Sequence, residues 1–279
     1  MKKLVCCLLV AVVWPVVTGR AQPSPAAGAT DRLTVVSLNL ALGENLDRIV
    51  SELGDVGALA ADVMLLQEVA QRGDGPDTAT ALADRLGMHA VYRQAFRLSD
   101  DLAFGQATLS RYPMSDARVL ALRQFTFAFR DKDRMALAAT VATPIGPVRT
   151  YNMHLDTRIN LADRIEQIAP VVEEAASSGG PVIIGGDFNT NNHRWFFHTI
   201  PLPWLHRQGR GLERYMDDVG FTSAFDGTPT HDALRMRLDW VFLRGFDASS
   251  TAIVPLELSD HHALIVSVVP GAPRSPRLN

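Results

Sequence analysis

Eight short stretches of the chain are almost entirely apolar: LTVVSLNL (33–40), VMLLQEV (63–69), ATLS (107–110), ALAATVAT (136–143), VRTYNMHL (148–155), VIIGG (182–186), LDWVFL (238–243) and ALIVSVV (263–269). Their length suits strands rather than helices. Successive side chains of a strand point to opposite faces, so a strand with one wet face alternates apolar and polar residues. Most of these runs do not alternate and so need cover on both faces. The chain must therefore build sheets that are packed on both sides.

The segments between the runs supply the cover. Leu46, Ile49, Val50, Leu53 and Val56 follow the i, i+3, i+4, i+7 spacing of a helix within 45–60. Leu82 and Leu86 share a face within 78–87, and Gly87 stands where a helix would end. Leu161, Ile165, Ile168 and Val172 form a stripe over 160–177, in which Pro170 predicts a bend or a restart. ALAATVAT and VRTYNMHL, joined through Pro-Ile-Gly-Pro, read as a hairpin. An antiparallel pair favours two packed mixed sheets with helices outside over a purely parallel, doubly wound sheet.

With 279 residues, 47% of them hydrophobic, the chain can fill such a core without covalent staples. Residues 1–21 stand apart: two lysines, an apolar run broken by Pro15, and small residues at Gly19 and Ala21. That is the layout of a secretory signal cut after Ala21, which predicts an exported protein, periplasmic or secreted. An uncleaved membrane anchor is the alternative, although the run is short for a spanning helix. Too little apolar sequence precedes Cys6 or Cys7 to favour a lipoprotein. Both cysteines fall in this segment, so the mature chain would contain no disulfide and no thiolate metal ligand. Loss of Lys2, Lys3 and Arg20 would shift the net charge from −3 to −6. That balance lacks the global field of many nucleic-acid binders but leaves room for a local basic groove. Residues 22–30 read as a linker and 271–279 as a loose tail, leaving one domain over 31–270.

Polar residues recur at the ends of the apolar runs: Asn39, Glu68, Asn152, His154, Asp187, Asn189, Asp239, Asp260 and His261. One such residue alone reads as a cap or a turn former. A set at many strand ends reads differently, because strand ends at one sheet edge converge. Residues two apart in an extended chain share a face, so Asn152 with His154, and Asp187 with Asn189, can each aim at one cleft. The inventory is carboxylate, amide and imidazole, which suits a hard cation such as Mg²⁺ or Mn²⁺. Histidines beside acids suit phosphoryl chemistry, which needs charge stabilised and a leaving oxygen protonated.

The ordered set SLNL, LLQEV, GQATLSRYPM, NMHLDTR, IIGGDFNT, RLDWVFL and SDHHAL resembles the endonuclease/exonuclease/phosphatase superfamily from about Leu33 to Val269. The resemblance implies an α+β, DNase I-like fold: a four-layer α/β sandwich of two stacked mixed β-sheets flanked by helices, with the site at one end. It implies a metal-dependent hydrolase in which Glu68 is the main ligand of Mg²⁺ or Mn²⁺, helped by Asn39 and Asp260. Asp187 would orient or deprotonate the attacking water, and Asn189 would hold that water or the phosphate. His154 would contact a phosphate oxygen or assist the leaving group. His261 would stabilise the transition state, with Asp239 orienting its imidazole and Asn152 in support. Gln106 stands where many relatives have Asn in a GNA motif, which weakens any transfer of that loop's role.

Other residues read as structural. His262 should face away from His261. Asp156 and Arg158 could touch phosphate, but a local ion pair is the simpler reading. Gln67 reads as structural, and His193 as either a pocket residue or the start of a helix.

The substrate stays open between nucleic acid and a lipid or small phosphodiester. RQFTFAFRDKDR (123–134) is either a basic, aromatic arm or a strand with alternate Phe in the core. HRQGRGLER (206–214) reads as a loop over the site or a solvated basic stretch, and WFFHTIPLPWLH (195–206) as packing or a lipid-touching lip. No protein partner is evident, and a monomer is expected. A non-catalytic binding module is the contrasting class, and the intact set of site residues argues against it.

Overall fold

A computed structural model describes residues 31–126, 133–203 and 207–272. The expected signal and linker lie outside the described residues, as do 273–279 of the tail and Phe127, Phe129, Arg130 and Lys132 of the basic, aromatic segment.

Two six-stranded sheets form the molecule. The first contains β1 (Leu33–Asn39), β2 (Val63–Arg72), β3 (His89–Arg97) and β4 (Leu102–Ser110). The second contains β5 (Met114–Ala121), β6 (Met135–Thr143), β7 (Gly146–His154) and β8 (Val182–Asp187). β9 (Arg194–Phe196) and β10 (Ile200–Leu202) make a separate hairpin. β11 (Thr222–Ser223) and β12 (Asp239–Arg244) complete the second sheet; β13 (Phe246–Val254) and β14 (Ala263–Pro270) complete the first. The strand orders are β13-β14-β1-β2-β4-β3 and β11-β12-β8-β7-β6-β5. The helices are α1 (Leu46–Asp55), α2 (Thr78–Leu86), α3 (Leu161–Ser177) and α4 (Gln208–Asp218).

The non-alternating runs are explained by three apolar layers. Leu33 and Val35 of β1 pack between the sheets with Leu65, Ile183, Val241 and Val266. Val36 and Leu38, on the opposite face, pack with Ile49 and Leu53 of α1 and Leu82 of α2. In β12, Val241 and Leu243 face the other sheet. Trp240 and Phe242 face Ile168 of α3 and Leu212 and Met216 of α4. Both faces of each central strand are thus dry, at about 1.5–3 kcal/mol per large side chain fully buried. The result is the expected four-layer sandwich.

β1 with β2 and β7 with β8 are parallel; the other pairs are antiparallel. A parallel neighbour needs a crossover connection, and α1 and α3 lie in those connections. Parallel strands end on the same side. Asn39 therefore stands opposite Gln67 and beside Glu68, and His154 stands opposite Asp187. β12 runs antiparallel to β8 and begins there, with Asp239 opposite Asp187.

Several expectations need correction. The first helix stops at Asp55, and Ala58–Ala60 form a separate 3-10 turn after Gly57, whose φ of 73° ends the helix. α3 runs unbroken through Pro170. Of the basic stretch, residues 208–214 are helical, in α4, and His206 lies outside the described residues. Residues 122–126 are not a strand, although Phe125 is buried. Arg123 there pairs with Glu166 of α3.

Candidate active site

The GG of VIIGGDFN shows how the backbone delivers Asp187. A Cβ on Gly185 would lie 2.7 Å from Leu65 Cδ1 of the opposite sheet. Gly186 has φ of +139°, and a Cβ there would lie 2.0 Å from the carbonyl oxygen of Met153. At 186 only glycine fits, because β7 backbone stands in the way; at 185 a larger residue would push the Leu65 side chain aside. Asp187 is then 1% exposed at the strand end. Asn189 is not an extended partner of Asp187, because its φ is 52°; the chain turns there and the Asn amide folds back. Asn tolerates that left-handed conformation better than most residues.

Four side chains gather on Oδ2 of Asp187. Asn39 Nδ2 donates to it at 3.2 Å from the first sheet, and Asn189 Nδ2 donates at 3.1 Å. His154 Nε2 is 3.4 Å away and His261 Nε2 is 3.8 Å away. Asp187 Oδ1 accepts from the Asn189 backbone N–H at 2.8 Å. Asp239 accepts His261 Nδ1 at 2.9 Å, which turns Nε2 of that ring toward Asp187. Thr230 Oγ1 in turn donates to Asp239 at 2.6 Å. Carboxylate, imidazole, carboxylate and hydroxyl thus form one buried chain.

The electrostatics follow from burial. Desolvation pushes the Asp187 carboxyl well up, aided by the charges of Asp239 and Glu68 and opposed by His261 and the Asn189 N–H. Burial works against the charge on His261, but Asp239, Asp187 and Asp260 together outweigh it and hold the imidazole up. Both groups retain protons more firmly than they would in water. A buried carboxylate poised in this way is suited to accept a proton near neutral pH.

Glu68 sits where β2 departs from its register with β4 between Leu66 and Val69, and its φ is 51°. A bulge with a left-handed non-glycine residue costs of order 1–3 kcal/mol and is characteristic of functional sites. The strain turns the carboxylate out of the ladder. His154 Nε2 lies 3.9 Å from Oε1, and among the described residues this carboxylate has no hydrogen-bond donor. It is 27% exposed at the mouth of the cluster. A partly exposed, unbonded carboxylate beside an Asn and a buried Asp is an oxygen donor set that fits a hard divalent cation. Asn39 retains an acceptor lone pair, because its Oδ1 accepts only from Ala41 N at 2.9 Å.

The remaining expected residues are placed as follows. Asp260 lies 3.2 Å from His231 Nε2, with 58% of its side chain exposed. His231, Asp260 and His261 form one titratable group, and the His231 and His261 rings are 5.0 Å apart. Burial lowers the His231 pKa, as does the neighbouring His261 charge. Asn152 is buried between the sheets, donating to Leu66 O and Ala107 O and accepting from Gln67. His262 pairs with Asp232 at 2.7 Å, away from the cluster. The local pair expected of Asp156 and Arg158 does not form. Asp156 pairs with buried Arg134 at 3.0 Å, and Arg158 lies over Trp195. Sequence reasoning missed His231 and Thr230. The signal available was weak: a Thr-His step between Pro229 and the run that begins at Leu238.

A sequence model of the Endonuclease/Exonuclease/phosphatase family matches residues 36–261. Among solved structures, the endonuclease/exonuclease/phosphatase from Beutenbergia cavernae DSM 12333 is similar over 87% of this chain and 72% of its own, with 21% identity and a TM-score of 0.71. The human Nocturnin catalytic domain with bound sulfate anion is similar over 86% and 95%, with 18% identity and a TM-score of 0.63. ANGEL2, a 2′,3′-cyclic phosphatase in complex with adenosine-2′,3′-vanadate, is similar over 86% and 96%, with 16% identity and a TM-score of 0.60.

Proposed function

The chain belongs to the endonuclease/exonuclease/phosphatase family, and from that premise we propose that it is an exported, metal-dependent phosphoesterase that cleaves a phosphodiester by attack of water. One observation carries the reading: two imidazoles and two amides converge on a single buried carboxylate oxygen, Asp187 Oδ2.

In this mechanism Asp187 takes the proton of the attacking water. Asn39 and Asn189 fix the carboxylate, and the Asn189 amide oxygen remains to accept from the water. His154 and His261 present Nε2 atoms to the same point, where negative charge grows on the phosphoryl oxygens; as the water oxygen bonds to phosphorus and the ester P–O bond breaks, His154 gives the departing oxygen its proton. Asp239 keeps the proton of His261 on Nδ1 and the ring in place. A Mg²⁺ or Mn²⁺ ion held by Glu68, with Asn39 and Asp260 as further oxygen donors, would supply charge neutralisation at the phosphate. Asp260 is the weaker donor of the set, since His231 already engages it.

The test is a screen of the exported protein with Mg²⁺ or Mn²⁺ on DNA, RNA, sphingomyelin, inositol phosphates and bis-p-nitrophenyl phosphate. Hydrolysis of at least one ester, lost in EDTA, is the expected result. Inactivity on all of them, or full activity in EDTA, overturns the reading or its metal requirement. Amino-terminal sequencing of the same material should begin at Gln22; an intact Met1 in cytosolic protein would refute export.

A further inference from the structure

Beside the catalytic cluster, on the helix side of the second sheet, lies a cavity of about 500 Å³ lined by Arg207, Arg210, Arg235, Arg237, Glu213 and Trp240 among others. Arg207 precedes α4 and Arg210 lies in its first turn; Arg235 and Arg237 come from the loop leading into β12. Glu213 is the one acidic residue of the lining. Among the described residues none of the four guanidinium groups is in an ion pair. Arg48, Arg72, Arg118 and Arg149 elsewhere each have a carboxylate partner.

Arg237 is the telling member. It is 9% exposed, and its guanidinium carbon lies 3.4 Å from the centroid of the Trp240 ring. It donates to Ser223 Oγ at 2.8 Å and Phe225 O at 3.2 Å, and its buried Nε has no hydrogen-bond partner. Burial lowers its pKa to about 10, against the weaker pull of Glu213 and Asp226. A buried cation whose acidic neighbours, Glu213 and Asp226, stand too far away to form an ion pair with it is costly. Arg235 adds backbone strain, with φ of 49°, to bring its side chain to the same cavity. The arrangement becomes favourable once an anion enters, because guanidinium forks match tetrahedral oxyanions bidentately.

We propose that this cavity is a second, non-catalytic binding site for a tetrahedral oxyanion of the phosphate class. It is distinct from the cluster around Asp187. Asp239 and Trp240 are adjacent in β12, so their side chains point to opposite faces: Asp239 to His261, Trp240 to the cavity. The two sites are nonetheless close. Thr190 lines the cavity one residue after Asn189, and its hydroxyl is bonded to Trp240 Nε1 at 2.8 Å and Arg237 O at 2.6 Å. The oxyanion could come from a second phosphate of an extended substrate or from the free ion.

Calorimetry with inorganic phosphate, in EDTA at low ionic strength, tests the site without use of the catalytic metal. Arg210→Ala/Arg235→Ala removes two exposed charges and should weaken phosphate binding by roughly tenfold or more, with no change in the melting temperature of the phosphate-free protein. Glu213→Gln should tighten it. Equal phosphate affinity in all three proteins overturns the proposal. KM measurements identify the source. A rise in KM for a substrate with several phosphates, but not for bis-p-nitrophenyl phosphate, assigns the second phosphate of a substrate. Unchanged KM for both, with phosphate affinity still lost, assigns the free ion. The calorimetry remains decisive even if no phosphoesterase activity is found.

Discussion

At the scale of single residues, the site depends on one carboxylate that could neither be moved nor left unpaired. Asp187 is buried, and an isolated buried carboxylate would be prohibitively costly. Asn39, Asn189 and two imidazoles make it tolerable, and the same contacts fix its direction. Asp187→Asn keeps the volume and removes the proton acceptor, so kcat should fall by roughly 10²–10⁴-fold if Asp187 is the general base. The phosphate-ester assay that identifies the substrate checks this. Asp239→Asn should cost less, because it acts through the orientation of His261. It should also shift the pH profile of kcat, which a merely structural role for Asp239 would not do. Combining Asp187→Asn with His261→Ala should cost far less than the product of the two separate losses, because the residues act as one unit. A destabilised Asp187→Asn protein with full activity per folded molecule would defeat the assignment.

At the scale of elements, α3 is fastened to the second sheet by Glu174. This side chain accepts from Arg149 at 2.7 Å and from Tyr151 at 3.0 Å, both in β7, and pairs with Arg118 of β5 at 3.0 Å. Burial tends to raise the Glu174 pKa, but the hydrogen bonds from Arg149, Tyr151 and Arg118 outweigh it and hold the carboxyl below its usual value of 4.5. A lowered folded-state pKa contributes stability that is present above the unfolded value and lost as pH falls through the folded one. Glu174→Gln should therefore destabilise by about 1–3 kcal/mol at pH 7. Urea melts should show the gap between the two proteins closing below pH 4.5; a gap that persists unchanged at acid pH would contradict this account. The same sheets show what sequence could and could not reveal. The central strands are legible because two-sided burial leaves long apolar runs. β3, β5 and β13 were missed because they are sheet edges, and HAVYRQAFR, MSDARVLA and FDASSTAIV carry polar residues toward water. The basic α4 was missed for a related reason, since only a narrow stripe, Leu212 and Met216, reaches the core. Strand-end polar residues such as Glu68 and Asp187 stood out because they interrupt apolar runs. His231 and Thr230 lie in a loop with no periodic pattern, and only the return of that loop to His261 reveals them.

At the scale of the whole molecule, the site is a junction between the two sheets. Asn39 and Glu68 belong to the first sheet, and His154, Asp187 and Asp239 to the second; His261 precedes β14 of the first. The hydrogen bond from Asn39 to Asp187 spans the junction at 3.2 Å. A cation held there would bind the folded sandwich and not the unfolded chain, whose donors are far apart in sequence. Ligand binding of that kind stabilises by about 2.7 kcal/mol when the free ligand is at 100 times its Kd. For a domain of this size, that amounts to a rise in melting temperature of roughly 5–10 °C. Mg²⁺ should produce such a rise in the wild-type protein, and EDTA should reverse it. Glu68→Gln should remove most of it while leaving the metal-free melting temperature close to wild type, since the carboxylate forms no hydrogen bond of its own among the described residues. Glu257→Gln changes an equally charged but 94% exposed side chain and should keep the full response. Thermal melts of the three proteins across a Mg²⁺ titration make the comparison without reference to any substrate. A Glu68→Gln protein that responds to Mg²⁺ as the wild type does would place the cation elsewhere.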